Sequence, residues 1–196
     1  MCEGTGHLAV PPIPLPDPEL SDGVVRLRPA RPADAPALTE ACRDPLIQRY
    51  TFVPWPYEPE HAAGWIADSE TRRAVGEALE LVIVPAAGDE VLGTAGLLRP
   101  DWANRVAEVG YFIAPWARGH GHAARAVGML ARWALRELGL ARIACDVDVE
   151  NVASQRVALR AGFVREGVLR SVIEAKGRRW TLVAHSLLPE DLEVGA

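Results

Sequence analysis

Val24, Val25 and Leu27 open the patterned part of the chain as a short β-rich run. Pro32 and Asp34 then begin a helix on which Ala35, Leu38 and Ala41 fall at helical spacing. Residues 44–57 carry no period and read as a loop. It is rich in aromatics and proline (Tyr50, Phe52, Pro54, Trp55, Pro56, Tyr57) and could line a pocket. Pro59 starts a second helix that buries Ala62, Trp65 and Ile66. Leu79 to Val84 and Val91 to Leu98 are β-rich runs joined by the turn-forming stretch 85–90, and Val106 to Ile113 follows after 101–104. These three predict consecutive antiparallel strands.

The strongest helical signal comes next. Val127, Leu130, Ala131, Ala134 and Leu138 recur on one face of a helix that begins near His122 and that Gly139 can end. Ile143, Cys145, Val147 and Val149 alternate with Ala144, Asp146, Asp148 and Glu150, which predicts a strand with one buried face and places Asp146 and Asp148 on the solvent side. A helix from Asn151 to Ala161, stopped by Gly162, leads into strands at Phe163–Leu169 and Trp180–Leu187. Strands interrupted by helices at some junctions argue for a mixed sheet in an α/β or α+β fold.

Composition narrows the class. At 196 residues, with 49% hydrophobic and 24% charged positions, the chain suits one well-packed domain. We take that domain as 23–196, preceded by a proline-rich flexible tail over 1–22 that contains Pro11, Pro12, Pro14, Pro16 and Pro18. A net charge of −5 gives no general attraction to nucleic acid. No signal-like or membrane-length apolar run occurs, so a membrane partner is not expected. Cys2, Cys42 and Cys145 show neither metal-ligand nor redox spacing, which suits a reduced, cytoplasmic protein.

The chemistry concentrates at Arg118-Gly119-His120-Gly121-His122-Ala123, between a strand and the long helix. Glycines there allow close backbone approach, and the free amides of a helix start make an anion site fit for a pyrophosphate. With Ala124 the stretch also satisfies G-x-G-x-x-A, the dinucleotide form. However, Ala114 to Arg118 intervene between strand and first glycine, and about 100 residues of other architecture come before. His120 and His122 find no third ligand near in sequence, so no metal is assigned. Cys145, alternating with Ile143 and Val147, reads as core, and His61 and His185 have no partner that sequence identifies.

Three segments together carry a resemblance. Ala107-Glu108-Val109-Gly110-Tyr111-Phe112-Ile113, Arg118 to Ala123, and Asn151-Val152-Ala153-Ser154 leading to Ala161-Gly162-Phe163 stand in an order that resembles the GNAT superfamily of N-acetyltransferases. Within it they are similar to the ribosomal-protein-alanine N-acetyltransferase-like branch, over about residues 23–192. The resemblance implies a largely antiparallel mixed sheet with a central splay, flanked by helices. It also implies acetyl-coenzyme A as co-substrate and direct acetyl transfer to a primary amine: a protein or peptide amino terminus, or a small molecule such as an antibiotic or polyamine. A non-catalytic coenzyme A-binding regulatory module is the rival from another class, and homodimerisation is an option.

By the same resemblance the amides of Arg118, Gly119, His120, Gly121, His122 and Ala123 hold the pyrophosphate, and the backbone of Phe112 and Ile113 meets the pantetheine arm. Asn151 also meets that arm, or only caps its helix. Glu108 is the expected base for the amine and Ser154 the expected proton donor to the departing thiolate; the plain alternatives are an ion-paired glutamate and a first-turn hydroxyl. Trp55 and Tyr57 in the aromatic loop are candidates for binding the acceptor. One departure bears on the acceptor: the branch commonly carries an aspartate where this chain has Trp180-Thr181-Leu182.

Overall fold

The computed structural model describes residues 10–192. Its strands are β1 (Val25–Pro29), β2 (Ala78–Pro85), β3 (Gly93–Asp101), β4 (Val106–Ile113), β5 (Arg142–Asp148), β6 (Val164–Ala175) and β7 (Arg178–Leu187). They form one sheet in the order β1-β2-β3-β4-β5-β7-β6. Every neighbouring pair is antiparallel except β4 with β5. That parallel pairing is short: Val106 with Arg142, Ala107 with Ile143, Glu108 with Ala144. Beyond Glu108 the strands part. Gly110 to Ile113 keep β3 as a partner on one side and, among the described residues, have no strand on the other.

Five helices cover the sheet: α1 (Ala35–Cys42), α2 (Pro45–Tyr50), α3 (Pro59–Ala74), α4 (His122–Glu137) and α5 (Val152–Arg160). The period read from the sequence explains where α4 sits. Ala126, Val127, Leu130, Ala131 and Ala134 are on its buried stripe, in one core with Ala107, Val109, Ile143, Cys145 and Val147 of β4 and β5, with Ala158 of α5 and with Ala161 just past it. Gly139, at φ +64, takes the left-handed position just past the helix end. The other face of the sheet carries a second cluster of Leu38, Cys42, Tyr57, Ala62, Val82 and Val84, against which Phe112 packs. Residues of β4 therefore alternate between two compartments. Ala107, Val109, Tyr111 and Ile113 face α4; Glu108, Gly110 and Phe112 face the side of α1 to α3.

Four readings of the sequence are corrected. Residues 44–57 are not all loop, because Pro45–Tyr50 forms α2: the Asp44 side chain accepts from the amides of Leu46 and Ile47, both at 3.0 Å, and Pro45 suits the first helical position. β6 runs to Ala175, past the expected Leu169, as an edge strand whose exposed side chains give no alternation to read. Asp148 is buried, since Arg178 pairs with it at 2.8 Å. Within the proline-rich stretch, residues 10–22 lie against the domain. Ile13 is fully buried, its amide donates to the Arg73 carbonyl at 3.0 Å, and its own carbonyl accepts from Arg73 Nη1 at 2.5 Å. The first nine residues of the expected tail and residues 193–196 fall outside the described residues.

A buried ion pair fixes the turn from β1 into α1. Arg28, 1% exposed, donates to both oxygens of Asp34 at 2.8 Å, and Asp34 also accepts from the Arg31 amide at 2.7 Å. Burial would raise the Asp34 pKa, but these hydrogen bonds hold it below its ordinary value. The stability it supplies is complete above the unfolded carboxyl pKa of about 3.9 and is lost as pH falls through the lower folded value. Asp34→Ala should cost about 3–5 kcal/mol at pH 7 by leaving Arg28 without this partner. Urea unfolding should show the gap to wild type narrowing as the medium is acidified below the unfolded pKa.

Candidate active site

β4 ends at Ile113, and a 3-10 turn over Pro115–Ala117 carries the chain to Arg118 at the head of α4. Gly119 and Gly121 lie at φ +85 and +78, where a side-chain-bearing residue is strained. A Cβ on either would meet nothing within 4 Å, so both face open space. Gly121 is the residue before α4 and offers no side-chain oxygen to the first helical amides. That helix start is thus an uncapped set of donors at the positive end of a 16-residue helix. Among the described residues, His122 Nδ1 is also buried there without a hydrogen-bond partner. Its imidazole pKa is lowered by burial and by the neighbouring His120 and Arg125. The Arg118 guanidinium turns away to Asp44, with Nη2 to Oδ1 at 2.6 Å and Nη1 to Oδ2 at 3.3 Å. This Arg118 pairing, first among the causes, depresses the Asp44 pKa. Arg118 therefore offers the site its backbone rather than its charge. An uncapped helix start, two open glycines and an orphaned imidazole nitrogen together fit a polyphosphate group.

The gap between β4 and β5 opens beside this cradle. Phe112 and Ile113 are the last residues of β4, with backbones paired only to Thr94 and Gly93 of β3. Their side chains pack on opposite faces, Phe112 toward α1 and α2 and Ile113 toward the α4 core. Across the gap, three residues separate the end of β5 from the start of α5, and Asn151 Oδ1 caps the helix by accepting from the Ser154 amide at 3.1 Å. Ser154 Oγ lies 2.5 Å from the Tyr111 hydroxyl, and its carbonyl accepts from the same hydroxyl at 3.3 Å. The two walls of the gap meet at this contact.

Glu108 lies on the other face of the sheet. Both its oxygens engage Arg99, Nε to Oε1 at 2.9 Å and Nη2 to Oε2. Arg99 reaches it because a bulge between Leu98 and Asp101 turns its backbone to φ +48. Asp146, on the same face by strand alternation, has a pKa raised by burial and then by the nearby charge of Glu108. Beyond it the β6–β7 hairpin closes against α2. Lys176 Nζ donates to the Gln48 carbonyl at 2.7 Å, Arg178 Nη2 donates to the Arg49 carbonyl at 3.3 Å and to Asp148, and Phe52 and Trp180 pack ring to ring at 5.3 Å. A separate groove of about 530 Å³, lined in part by Val10, Arg72 and Trp102, opens at the paired end of the sheet and shares only Arg99 with these groups.

The structure thus places Ser154 and Asn151 across the gap from Tyr111, and the 118–123 turn beyond the end of β4, with Glu108 on the reverse face. The two aromatic candidates are not brought together. Trp55 is 72% exposed, whereas Tyr57 is 6% exposed and packs in the cluster with Cys42 and Ala62, so its ring is core rather than acceptor surface. Sequence reasoning missed Tyr111 and Arg99. Tyr111 stands in a β-rich run without a role assigned to it, although a phenol at such a position calls for a partner; Arg99 depends on a bulge that leaves no periodic signal. His61, unpartnered in sequence, accepts from the Glu58 amide at 2.9 Å. His185 is fully buried, with Nδ1 against the carbonyls of Cys145 and Val183. The His120 and His122 rings stack at 5.5 Å, and no group of three or more potential ligands that could hold a metal occurs among the described residues.

A family profile described as the acetyltransferase (GNAT) domain matches residues 25–164. The chain belongs to the GNAT acetyltransferase family. As a GNAT protein it is an acyltransferase of the N-acetyltransferase class with acetyl-coenzyme A as donor, and its sheet is that of the family. It is 31% identical over 158 residues to the uncharacterized N-acetyltransferase p20 of Bacillus licheniformis, covering 81% of this chain and 89% of p20. Over 82 residues it is 33% identical to the ribosomal-protein-serine acetyltransferase of Escherichia coli strain K12, covering 42% of this chain and 46% of that protein. The crystal structure of a spermidine N-acetyltransferase from Vibrio cholerae, in complex with coenzyme A and spermine, superposes with a TM-score of 0.74 at 20% identity. That match covers 87% of this chain and 98% of the other and shows likeness of fold. Among the described residues no helix is long and apolar enough to cross a membrane.

Because neither GNAT glycine has a neighbour to strike, Gly121→Val should keep the domain folded. The left-handed φ should cost it roughly 1–2 kcal/mol. The added side chain blocks backbone approach, so the rise in melting temperature that coenzyme A gives wild type should vanish in the variant. NAD should raise neither. A shift with NAD as large as that with coenzyme A would rule out the cradle's assignment.

Proposed function

We propose that this enzyme acetylates the amino terminus of a protein or peptide in the cytoplasm, with Glu108 and Ser154 acting from opposite faces of the sheet. The observation that carries the reading is the parting of β4 and β5 immediately after Glu108 and Ala144. It leaves a slot with the cradle and Ser154 on the α4 side and a carboxylate on the other. The amides of residues 118–123 hold the pyrophosphate, and the helix dipole adds about 0.3–1 kcal/mol. The unpaired edge of β4 at Phe112 and Ile113 takes the pantetheine as a sheet edge takes an added strand. Asn151 spends Oδ1 on capping α5 and keeps its Nδ2 hydrogens for a pantetheine carbonyl.

An amine arriving from the opposite face meets Glu108, held by Arg99, and the exposed Asp146. Carboxylates there favour a cationic acceptor. An amino-terminal ammonium, with a pKa near 8, must lose its proton before it can attack. Glu108, oriented by Arg99, takes that proton through water. The thioester carbon is then attacked on one face while sulfur leaves toward Ser154 on the other. The aspartate missing at Trp180-Thr181-Leu182 is not replaced in kind: Trp180 is 2% exposed, with Phe52 on its ring and the Arg178 guanidinium 4.1 Å from its centre. Trp55, exposed on the loop after α2, is the aromatic left free to meet an acceptor chain. The same carboxylates suit a polyamine, so the deciding experiment is a thiol-release screen with acetyl-coenzyme A against amino-terminal peptides, polyamines and aminoglycosides. Turnover confined to small amines would overturn the peptide reading.

Two variants test the roles. Ser154→Ala should lower kcat while leaving the affinity for acetyl-coenzyme A nearly unchanged, since a loss confined to turnover marks a group acting in the transition state. Weakened binding with unchanged kcat would make Ser154 a donor-site contact alone. Glu108→Gln should lower the rate by roughly 10²- to 10⁴-fold at neutral pH, with the loss shrinking above the acceptor's own pKa, where the amine is already neutral in solution. A ratio of wild type to variant that stays constant across the profile would remove Glu108 as the base.

A further inference from the structure

We infer that Tyr111 is a positioning residue for the leaving side of the reaction, its hydroxyl orienting the single hydrogen of Ser154 toward the coenzyme A sulfur. The inference rests on the acetyl-transfer reading and extends it to a side chain outside the assigned site. Tyr111 stands on the α4 face of β4, three residues past the last β4–β5 pair, and its hydroxyl crosses the gap to the first turn of α5.

The geometry allows two arrangements of the hydroxyl hydrogens. In the first, Ser154 donates to Tyr111 across 2.5 Å and Tyr111 donates to the Ser154 carbonyl across 3.3 Å, so both hydrogens are spent within the pair. In the second, Tyr111 donates to Ser154 Oγ and the serine hydrogen is released to another acceptor. A negative charge developing on sulfur selects the second, which needs only the rotation of two hydroxyls. A donor that is itself hydrogen-bonded is polarised and strengthened. Burial, first among the causes, raises the Tyr111 pKa, so the phenol stays protonated and remains a donor.

The chemical balance does not require the tyrosine to ionise. The amine nitrogen bonds to the acetyl carbon, the carbon–sulfur bond breaks with its electron pair on sulfur, and the proton given up by the amine is the one that returns to sulfur from water. Ser154 and Tyr111 supply hydrogen bonds to the departing thiolate and are unchanged at the end. A plain strut between β4 and α5 would be built from the same contact, and kinetics separates the two roles.

Tyr111→Phe removes one oxygen from a partly buried ring. It should lower kcat roughly tenfold with the KM for acetyl-coenzyme A changed by less than about twofold. In a Ser154→Ala background the same change should produce no further loss, because the hydroxyl through which Tyr111 acts is gone. An unchanged kcat, a loss appearing only in KM, or losses that multiply in the double variant would each overturn the inference while leaving acetyl transfer standing. A wild type that releases no thiol with any amine of the screen would overturn both. Should Tyr111→Phe fail to fold, 3-fluorotyrosine placed at 111 gives a more acidic donor of nearly the same shape. A raised kcat would support the relay, and an unaltered one would refute it.

Discussion

The site depends on three residue pairs. β4 and β5 are hydrogen-bonded only from Val106–Arg142 to Glu108–Ala144, and then stop. Each strand has a full antiparallel partner on its outer side, β3 for β4 and β7 for β5, so neither needs the other to stay extended. The parted strands leave free backbone that a sheet would normally consume, which is the surface the proposed function uses. The helices follow from the same constraint. α4 starts above one wall of the gap and α5 above the other, and the shared core of Ala126, Val127, Leu130, Ala158 and Ala161 holds both starts in place. A closed sheet would have brought Tyr111 and Ser154 into the interior; an unsupported one would have let them drift apart.

Burial on two faces then divides the chemistry. Strand alternation sends Glu108 to one side and Tyr111 to the other with no further device. The carboxylate and the hydroxyl pair are thereby kept in separate compartments. The carboxylate side is dense in charge: Glu108 with Arg99, Asp148 with Arg178, and Asp146 raised by burial and by its neighbour. The side toward α5 holds neutral hydroxyls and the Cys145 thiol, which burial pushes up to about 12. In the proposed reaction, that partition keeps the discharge of an ammonium on one side and the thioester on the other.

Much of this was legible in the sequence, and the rest was not for definite reasons. Periodicity located α4, β4 and the strand at Ile143 because each has one strongly buried face. The cradle at 118–123 stood out because glycines and a helix start coincide. Contacts that depend on local irregularity left no such trace. Arg99 reaches Glu108 only through a bulge, and α2 is too short for a period, announced only by Asp44 before Pro45. Asp148 read as solvent-facing because alternation tells which face a residue takes and not what arrives to cover it. Tyr57 was misplaced for the converse reason: a run of aromatics suggests a pocket, while each ring is claimed individually by whichever cluster lies nearest. The packing of Ile13 against Arg73 joins two segments 60 residues apart, beyond the reach of any local pattern.

The clamp between the β6–β7 hairpin and α2 has a consequence for variation. Lys176 and Arg178 hold α2 chiefly by its main-chain oxygens, those of Gln48 and Arg49. A carbonyl is the same in every amino acid. Exposed side chains of α2 can therefore be exchanged without loosening the closure, and the stem of the hairpin is braced separately by Asp148 and Phe52. Such a wall separates the identity of its surface from the integrity of its frame. Substitutions on its exposed face cost little in folding.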